Sequence, residues 1–446
     1  MERPGRLRGF PGRKINKIGN LHKLAMMRVH NKETFKRVLL SSGIFVYLLL
    51  TGCRDESVEH YNRGRSHYEK GQYDLAISEF TKSIRINPKL ANAYYVRGIA
   101  YGKKGLYDRA IGDFTKVIKM KPRDANAYIY RGLAYCDKGE YDQAISDCTM
   151  AINIDTRSAG AYYNRGLTLY HKGQYDRAIS DYTMAILIDP FDADVRYYRG
   201  LAHCAKGQYD QAIRDYTKAI EINPEDANSY YNRGIAYSWE GAYDLAIYDY
   251  TKAIEIEPKL SDAYIGRGQA HYSKGEYDLA IYDCNKALEI NPRSADAYYG
   301  RGLNYHRKGK YERAISDYSK AIEIDPMLAD AYIERGLVYY DKGEYDQAIS
   351  DYTKSLEIDP NDAIAYYNRG ITYTKKGEYE QAISDFTKAI EIKPRDAGFY
   401  TNRAIAYYHK GECDEAWEDI HNVQSMGLKV PPEFLKDLRE ASGRER

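Results

Sequence analysis

The sequence predicts an all-α solenoid of short helical hairpins, and three observations carry that prediction. An Arg-Gly dipeptide recurs with Gly at 64, 98, 132, 166, 200, 234, 268, 302, 336 and 370, a fixed spacing of 34 residues, and the series ends in Ala404. A second Gly follows seven residues later in every unit, from Gly71 to Gly411, and Pro marks the end of each unit except at Thr156 and Leu428. Composition agrees, because 48 Tyr against 9 Phe and 2 Trp is far from average usage and marks one motif copied many times. The length of 446 residues sets no domain count here, since that reasoning assumes globular packing.

Counted from seven residues before the first Gly, eleven units begin at Ser57, Ala91, Ala125, Ala159, Ala193, Ala227, Ser261, Ala295, Ala329, Ala363 and Ala397 and fill residues 57–430. Within a unit, helix A runs to about position 14, the Gly at 15 turns the chain, and helix B continues to the Pro region at 32. Gly at position 8 costs about 1 kcal/mol inside a helix. Close packing against the Ala at position 20, from Ala76 to Ala416, is expected to offset it.

Arg fills position 7 from Arg63 to Arg403, and position 23 is acidic from Glu79 to Asp419. Both stand eight residues from the turn Gly, so an antiparallel hairpin sets them face to face as an Arg–carboxylate pair. As an exposed pair it would add little stability. No hairpin buries its apolar face alone, so stacking supplies stability and the ends need caps. Residues 431–446 provide a cap helix in which Phe434, Leu435 and Leu438 cover the last unit while Lys436, Asp437, Arg439 and Glu440 face water. Ser442 to Arg446 reads as a frayed tail.

Aromatic residues near positions 4, 11, 17 and 24, small residues at 8 and 20, and Pro at 32 resemble the tetratricopeptide repeat (TPR) pattern over about five-sixths of the chain. The resemblance implies a right-handed superhelical solenoid whose concave groove docks extended segments of partner proteins. Helical periodicity puts positions 4, 7, 8 and 11 on one face of helix A and 2, 5, 9, 12 and 13 roughly opposite. On the second face Tyr stands at position 5 in Tyr61, Tyr95, Tyr163, Tyr197, Tyr231, Tyr299 and Tyr367, interrupted by Ile129, Ile265, Ile333 and Thr401. These are the candidate groove residues, with packing between adjacent units as the open alternative.

Position 6 carries Asn62, Asn164, Asn232, Asn368 and Asn402, which resemble a broken form of the asparagine ladder in the repeat region of O-linked N-acetylglucosamine transferase. Position 9 is apolar except at Arg65 and Gln269, so no unit offers the Lys and Asn of a chaperone-type carboxylate clamp. Position 12 is small or polar at Gly102, Cys136, Cys204 and Ser238, which would widen the groove and expose two thiols. Cys148, Cys284 and Cys413 replace aromatic residues and read as buried and inert. Arg196, Trp239 and the run Gly266 to Gln269 depart from the repeat and mark the middle units as places shaped by something other than stacking.

Net charge is +2 overall, but residues 1–52 hold 11 Lys+Arg against 2 Asp+Glu, leaving 55 against 62 for the remainder. An acidic body without a basic stripe gives little support to nucleic-acid binding. In the leader, basic residues 28–37 precede a 13-residue, largely apolar run, Val38 to Leu50, that ends in Leu-Thr-Gly-Cys53. The run is too short to span a bilayer but suits a signal-peptide core. With its Leu-Thr-Gly-Cys end it resembles the lipobox of bacterial lipoproteins, which implies lipid on the Cys53 thiol and cleavage before it. The expected organisation is thus a leader at 1–52, a tether at 53–56, the repeats at 57–430 and the cap at 431–446. A start at Met26 or Met27 gives a leader of conventional length and leaves residues 1–25 untranslated.

The cysteines form no CxxC pair, the ten His form no HExxH or Cys/His cluster, and no phosphate loop or nucleophile elbow is present. No catalytic residue, metal or cofactor is therefore expected. The leading reading is a lipid-anchored interaction scaffold of the bacterial envelope, resembling the TPR lipoproteins that assist pilus secretin assembly or recruit peptidoglycan hydrolases. The alternatives are a cytoplasmic scaffold or co-chaperone-like adaptor, and more weakly a glycan-binding module using the Tyr-rich groove.

Overall fold

The computed structural model describes residues 55–443, so the leader and Cys53 lie outside the described residues. Among the described residues there are 23 helices and no strand. Odd-numbered helices are the A helices, from α1 (Glu56–Glu69) to α21 (Ala397–Lys410), and even-numbered ones are the B helices, from α2 (Tyr73–Ile86) to α22 (Cys413–Ser425). A last helix, α23 (Pro432–Ser442), follows them.

Local chemistry sets each boundary. An Asp or Ser at position 34 caps most A helices, as Asp124 does for the Ala127 amide and Ser158 for that of Ala161, satisfying donors with no intrahelical partner. All eleven Gly at position 15 adopt φ between +66 and +89, a conformation that Gly enters without steric cost. B helices start without a side-chain cap but carry an acid in the first turn, such as Asp108, where it faces the positive end of the helix dipole. All but the last end at position 30, two residues before position 32, where Pro stands in nine of the eleven units.

The described chain divides into two compact bodies, residues 55–240 and 241–443. In the first, each A helix packs on its own B helix through unit 5, each B helix packs on the next A helix, and A helices touch one another from α1 to α11 (Ala227–Trp239). In the second, the same order runs from B helix α12 (Tyr243–Ile256) to α23.

The core of most hairpins is a notch filled by a ring. A Cβ at Gly64 would lie 2.6 Å from the Phe80 ring and one at Gly200 2.7 Å from that of Tyr216. The residue that requires Gly at position 8 is thus the aromatic at 24, not the Ala at 20, because the ring spans the gap between the helices. Only where Cys replaces the ring does position 20 come equally close, at Gly132 (Ala144 O, 3.2 Å) and Gly268 (Ala280 O, 3.3 Å).

Both described ends present polar or covering chemistry. Positions 3, 6, 7 and 10 of unit 1 are Glu59, Asn62, Arg63 and Ser66, where later units place mainly Ala at 3 and 10. Arg63 pairs with Glu59 on its own helix. At the other end Leu438 of α23 is fully buried, the Phe434 ring packs edge-on to Tyr408 at 5.7 Å, and the Trp417 indole N–H donates to Ser442 Oγ at 3.1 Å.

Candidate partner-binding face

The Arg at position 7 does more than pair within its hairpin. In α7 (Ala159–His171), Arg165 donates to both carboxylate oxygens of Asp181 at 2.7 Å and to Thr149 Oγ1 of the preceding unit at 3.1 Å, with its guanidinium 5.7 Å from the Tyr162 ring. Arg97, Arg131, Arg199, Arg267, Arg301, Arg335, Arg369 and Arg403 repeat the bidentate contact at 2.6–2.9 Å. The carboxylates are buried, so the pair is not the exposed one anticipated from sequence: the Arg is held against the preceding unit, and Arg63, which has no preceding unit, is exposed. Burial pushes the Asp113, Asp351 and Asp385 carboxyls up, against the pull of their Arg partners. Unit 1 departs, with Glu79 taken up by His60 and Lys82.

The tyrosine row does not line a groove. Tyr61, Tyr95, Tyr163, Tyr197, Tyr299 and Tyr367 are 2–8% exposed and Tyr231 is half-buried. Each of the six packs on the ring at position 24 of its own unit with centroids 5.8–6.1 Å apart. Burial pushes the Tyr163 and Tyr197 hydroxyls well up. The two-face reading of helix A fails because neighbours crowd it from several sides, and position 5 falls among them.

The asparagines follow. Asn164, Asn232 and Asn368 are buried, Asn402 is half-buried and Asn62 is exposed. Asn164 donates to Gly160 O at 2.7 Å, while Asn232 and Asn402 donate to the hydroxyls of Tyr197 and Tyr367 at 3.1 and 3.0 Å. Asn232 and Asn402 close contacts between units, Asn164 bonds within its own helix, and with three of the five buried they do not form a ladder on the surface. Cys136 and Cys204 are buried rather than exposed, and burial pushes their thiols up to about 12 and about 11. Cys148 and Cys284 are fully buried, and Cys413 is half-buried.

What stays accessible on the A helices is narrower, chiefly positions 2 and 13. Asn126 and Asp262 at position 2 are exposed, as are Trp239, Arg307, Asp341 and His409 at position 13. Asp137, also at position 13, is half-buried, and burial pushes its carboxyl up to about 7 while Lys103 pulls it down. A second ladder runs beside this edge, in which the Lys at position 14 bonds the acid at position 18 of the preceding unit, as in Lys138–Asp108 (2.8 Å) and Lys376–Asp346 (2.7 Å).

Among the described residues no group of His, Cys, Asp or Glu could hold a metal ion, and no helix is long and apolar enough to cross a membrane. Stacked helical hairpins of fixed length with a ring-filled glycine notch define a helical repeat protein. A family model described as "TPR repeat" matches residues 64–105, 132–173, 200–238, 268–309, 302–343 and 336–377. Models described as "Tetratricopeptide repeat" match 91–124, 159–192, 227–260 and 363–396. The chain belongs to the tetratricopeptide-repeat family.

Among solved structures, it is similar to MamA (33% identity, covering 36% of this chain and 94% of that one, TM-score 0.34). It is also similar to YrrB, described as a TPR protein with an unusual peptide-binding site (31% identity, 41% and 95% coverage, TM-score 0.35). A tetratricopeptide repeat protein from Parabacteroides merdae is 24% identical over 56% of this chain and 98% of its own, with a TM-score of 0.47. No curated protein matches the sequence.

Proposed function

We propose that this protein is a non-catalytic scaffold that holds a segment of a partner protein along the A-helix edge formed by positions 2 and 13. One observation carries the reading. Positions that build the stack repeat along the chain, with Ala at 20 buried and, beyond unit 1, Arg at 7 half-buried in its ion pair, whereas position 13 is exposed in most units, position 2 is exposed at Asn126, Gly160 and Asp262, and both change from unit to unit. Position 13 runs through Lys103, Asp137, His171, Trp239, Arg307 and Asp341, a variety that stacking does not require.

The leader supports a membrane tether at Cys53, because a short apolar run ending in Leu-Thr-Gly-Cys fits lipid attachment to that thiol. Such an anchor would place the scaffold in a bacterial envelope.

A photo-crosslinking residue placed at Asn126 or Asp262 should join the protein to a discrete peptide of one partner, while the same residue at Ser180 or Ser316 on the B helices should not. Equal labelling from both faces would sink the proposal. For the tether, intact mass of the bacterially made protein should show a lipid increment on a chain beginning at Cys53, lost in Cys53→Ser. An unprocessed, water-soluble product would overturn it.

A further inference from the structure

Position 14 is Lys in ten of the eleven units and Glu240 in unit 6. In the nine of these units that follow another, the Lys meets an acid of the preceding unit, as in Lys172–Asp142 (2.5 Å), Lys274–Asp244 (2.7 Å) and Lys308–Asp278 (2.5 Å). The acid at the matching position before Glu240 is Asp210. This step of the ladder therefore sets two exposed carboxylates where every other step sets an anion and a cation.

The same step carries an exposed aromatic stack. Trp239 is 52% exposed, and its indole lies parallel to the Tyr209 ring at 5.8 Å with an interplanar angle of 0°. Each ring is the chain neighbour of one carboxylate, Tyr209 of Asp210 and Trp239 of Glu240. Unit 11 gives the contrast, because His409 stacks on Tyr379 at 5.6 Å there but Lys410 still reaches Glu380 at 3.6 Å. Only unit 6 joins an open aromatic face to an acidic pair that lacks its lysine.

We propose that Tyr209, Asp210, Trp239 and Glu240 form a seat for a guanidinium group, presented by an arginine side chain of a partner protein. The ligand follows from charge complementarity and shape. Two carboxylates call for a cation, an exposed indole favours one that lies flat on it, and a planar guanidinium can stack and donate to carboxylates together. A lysine ammonium would supply the charge but not the stacking. The inference rests on the reading that position 13 meets a partner, and it names the side chain that this part of the edge takes.

A small probe tests it without any partner. The protein has two tryptophans, and Trp417 is 8% exposed, so changes in tryptophan fluorescence on adding a small cation report chiefly on Trp239. Titration of the full chain with argininamide, against NaCl at equal ionic strength, should give a saturable change. Lysinamide should bind at least threefold more weakly. Glu240→Lys should weaken argininamide at least tenfold while leaving the thermal midpoint unchanged or raised, since it restores the lysine of the other ten units. Asp210→Asn should weaken it severalfold. A signal no larger than the salt control, equal binding by Glu240→Lys, or lysinamide binding as tightly as argininamide would each overturn the inference. Argininamide binding with silent crosslinkers at Asn126 and Asp262 would keep the seat and remove the edge-wide reading above. Crosslinking at those positions without argininamide binding would do the reverse.

Discussion

At the scale of single residues, the notch at position 8 and the half-buried Asp137 give opposite kinds of test. Alanine is the better helix former by about 1 kcal/mol, yet a Cβ at Gly200 would stand 2.7 Å from the Tyr216 ring. Overpacking should win, so Gly200→Ala should lower stability to urea by about 2 kcal/mol. At Gly132 the nearest atom is the Cys148 sulfur at 3.1 Å, and Gly132→Ala should cost less. Asp137 responds to pH. Its folded pKa of about 7 lies above the unfolded carboxylate value of ~3.9, so the native state holds the proton more tightly. That contribution is complete below about pH 4 and is lost as pH rises through 7. Asp137→Asn should therefore be the more stable protein at pH 8, by about 2 kcal/mol, with the difference closing toward pH 4 in thermal melts at stepped pH.

At the scale of the hairpin, Arg at position 7 joins two helices of one unit to a helix of the unit before. Removing it from a middle unit leaves its acid buried and uncompensated, which costs far more than losing a surface pair. Arg165→Ala should destabilise its region by about 3–5 kcal/mol, seen as faster amide exchange in α7 and α8 (Tyr175–Ile188). Arg63→Ala, whose partner Glu59 is on its own exposed helix, should change stability by less than about 0.5 kcal/mol. Equal effects at the two sites would show that burial against the preceding unit does not set the strength of the pair.

At the scale of the molecule, contacts between neighbours make whole units removable. The ring at position 24 touches position 6 of the following unit, as in Phe114–Tyr130 at 5.9 Å and Tyr182–Tyr198 at 6.5 Å. Deleting residues 329–362 would bring Tyr318 to Asn368 in place of Tyr352, an identical ring. The shortened chain should fold, with helical signal reduced in proportion and a thermal midpoint within about 5 °C of the original. Deleting only residues 345–361 leaves an A helix without its partner and should broaden or split the transition. A similar melt for both deletions would argue against unit-by-unit stacking.

The sequence by itself determined the repeat length, the two helices of each unit, the Gly turn between them and the face-to-face Arg and acid, because all of these depend on residues within one hairpin. Tertiary packing decided what the hairpin alone could not. It buried the position 5 tyrosines, filled the glycine notch with the ring at 24, drew Arg across to the preceding unit and closed Asn232 and Asn402 onto tyrosine hydroxyls. The candidate face was misplaced for the same reason: helical periodicity describes one helix, whereas accessibility depends on the neighbours around it. A signal was nonetheless present in the chain, since tyrosine recurs at position 5 while positions 2 and 13 vary, and Glu240 stands alone among lysines. Residues that must fit identical neighbours repeat, and residues free of that demand diverge.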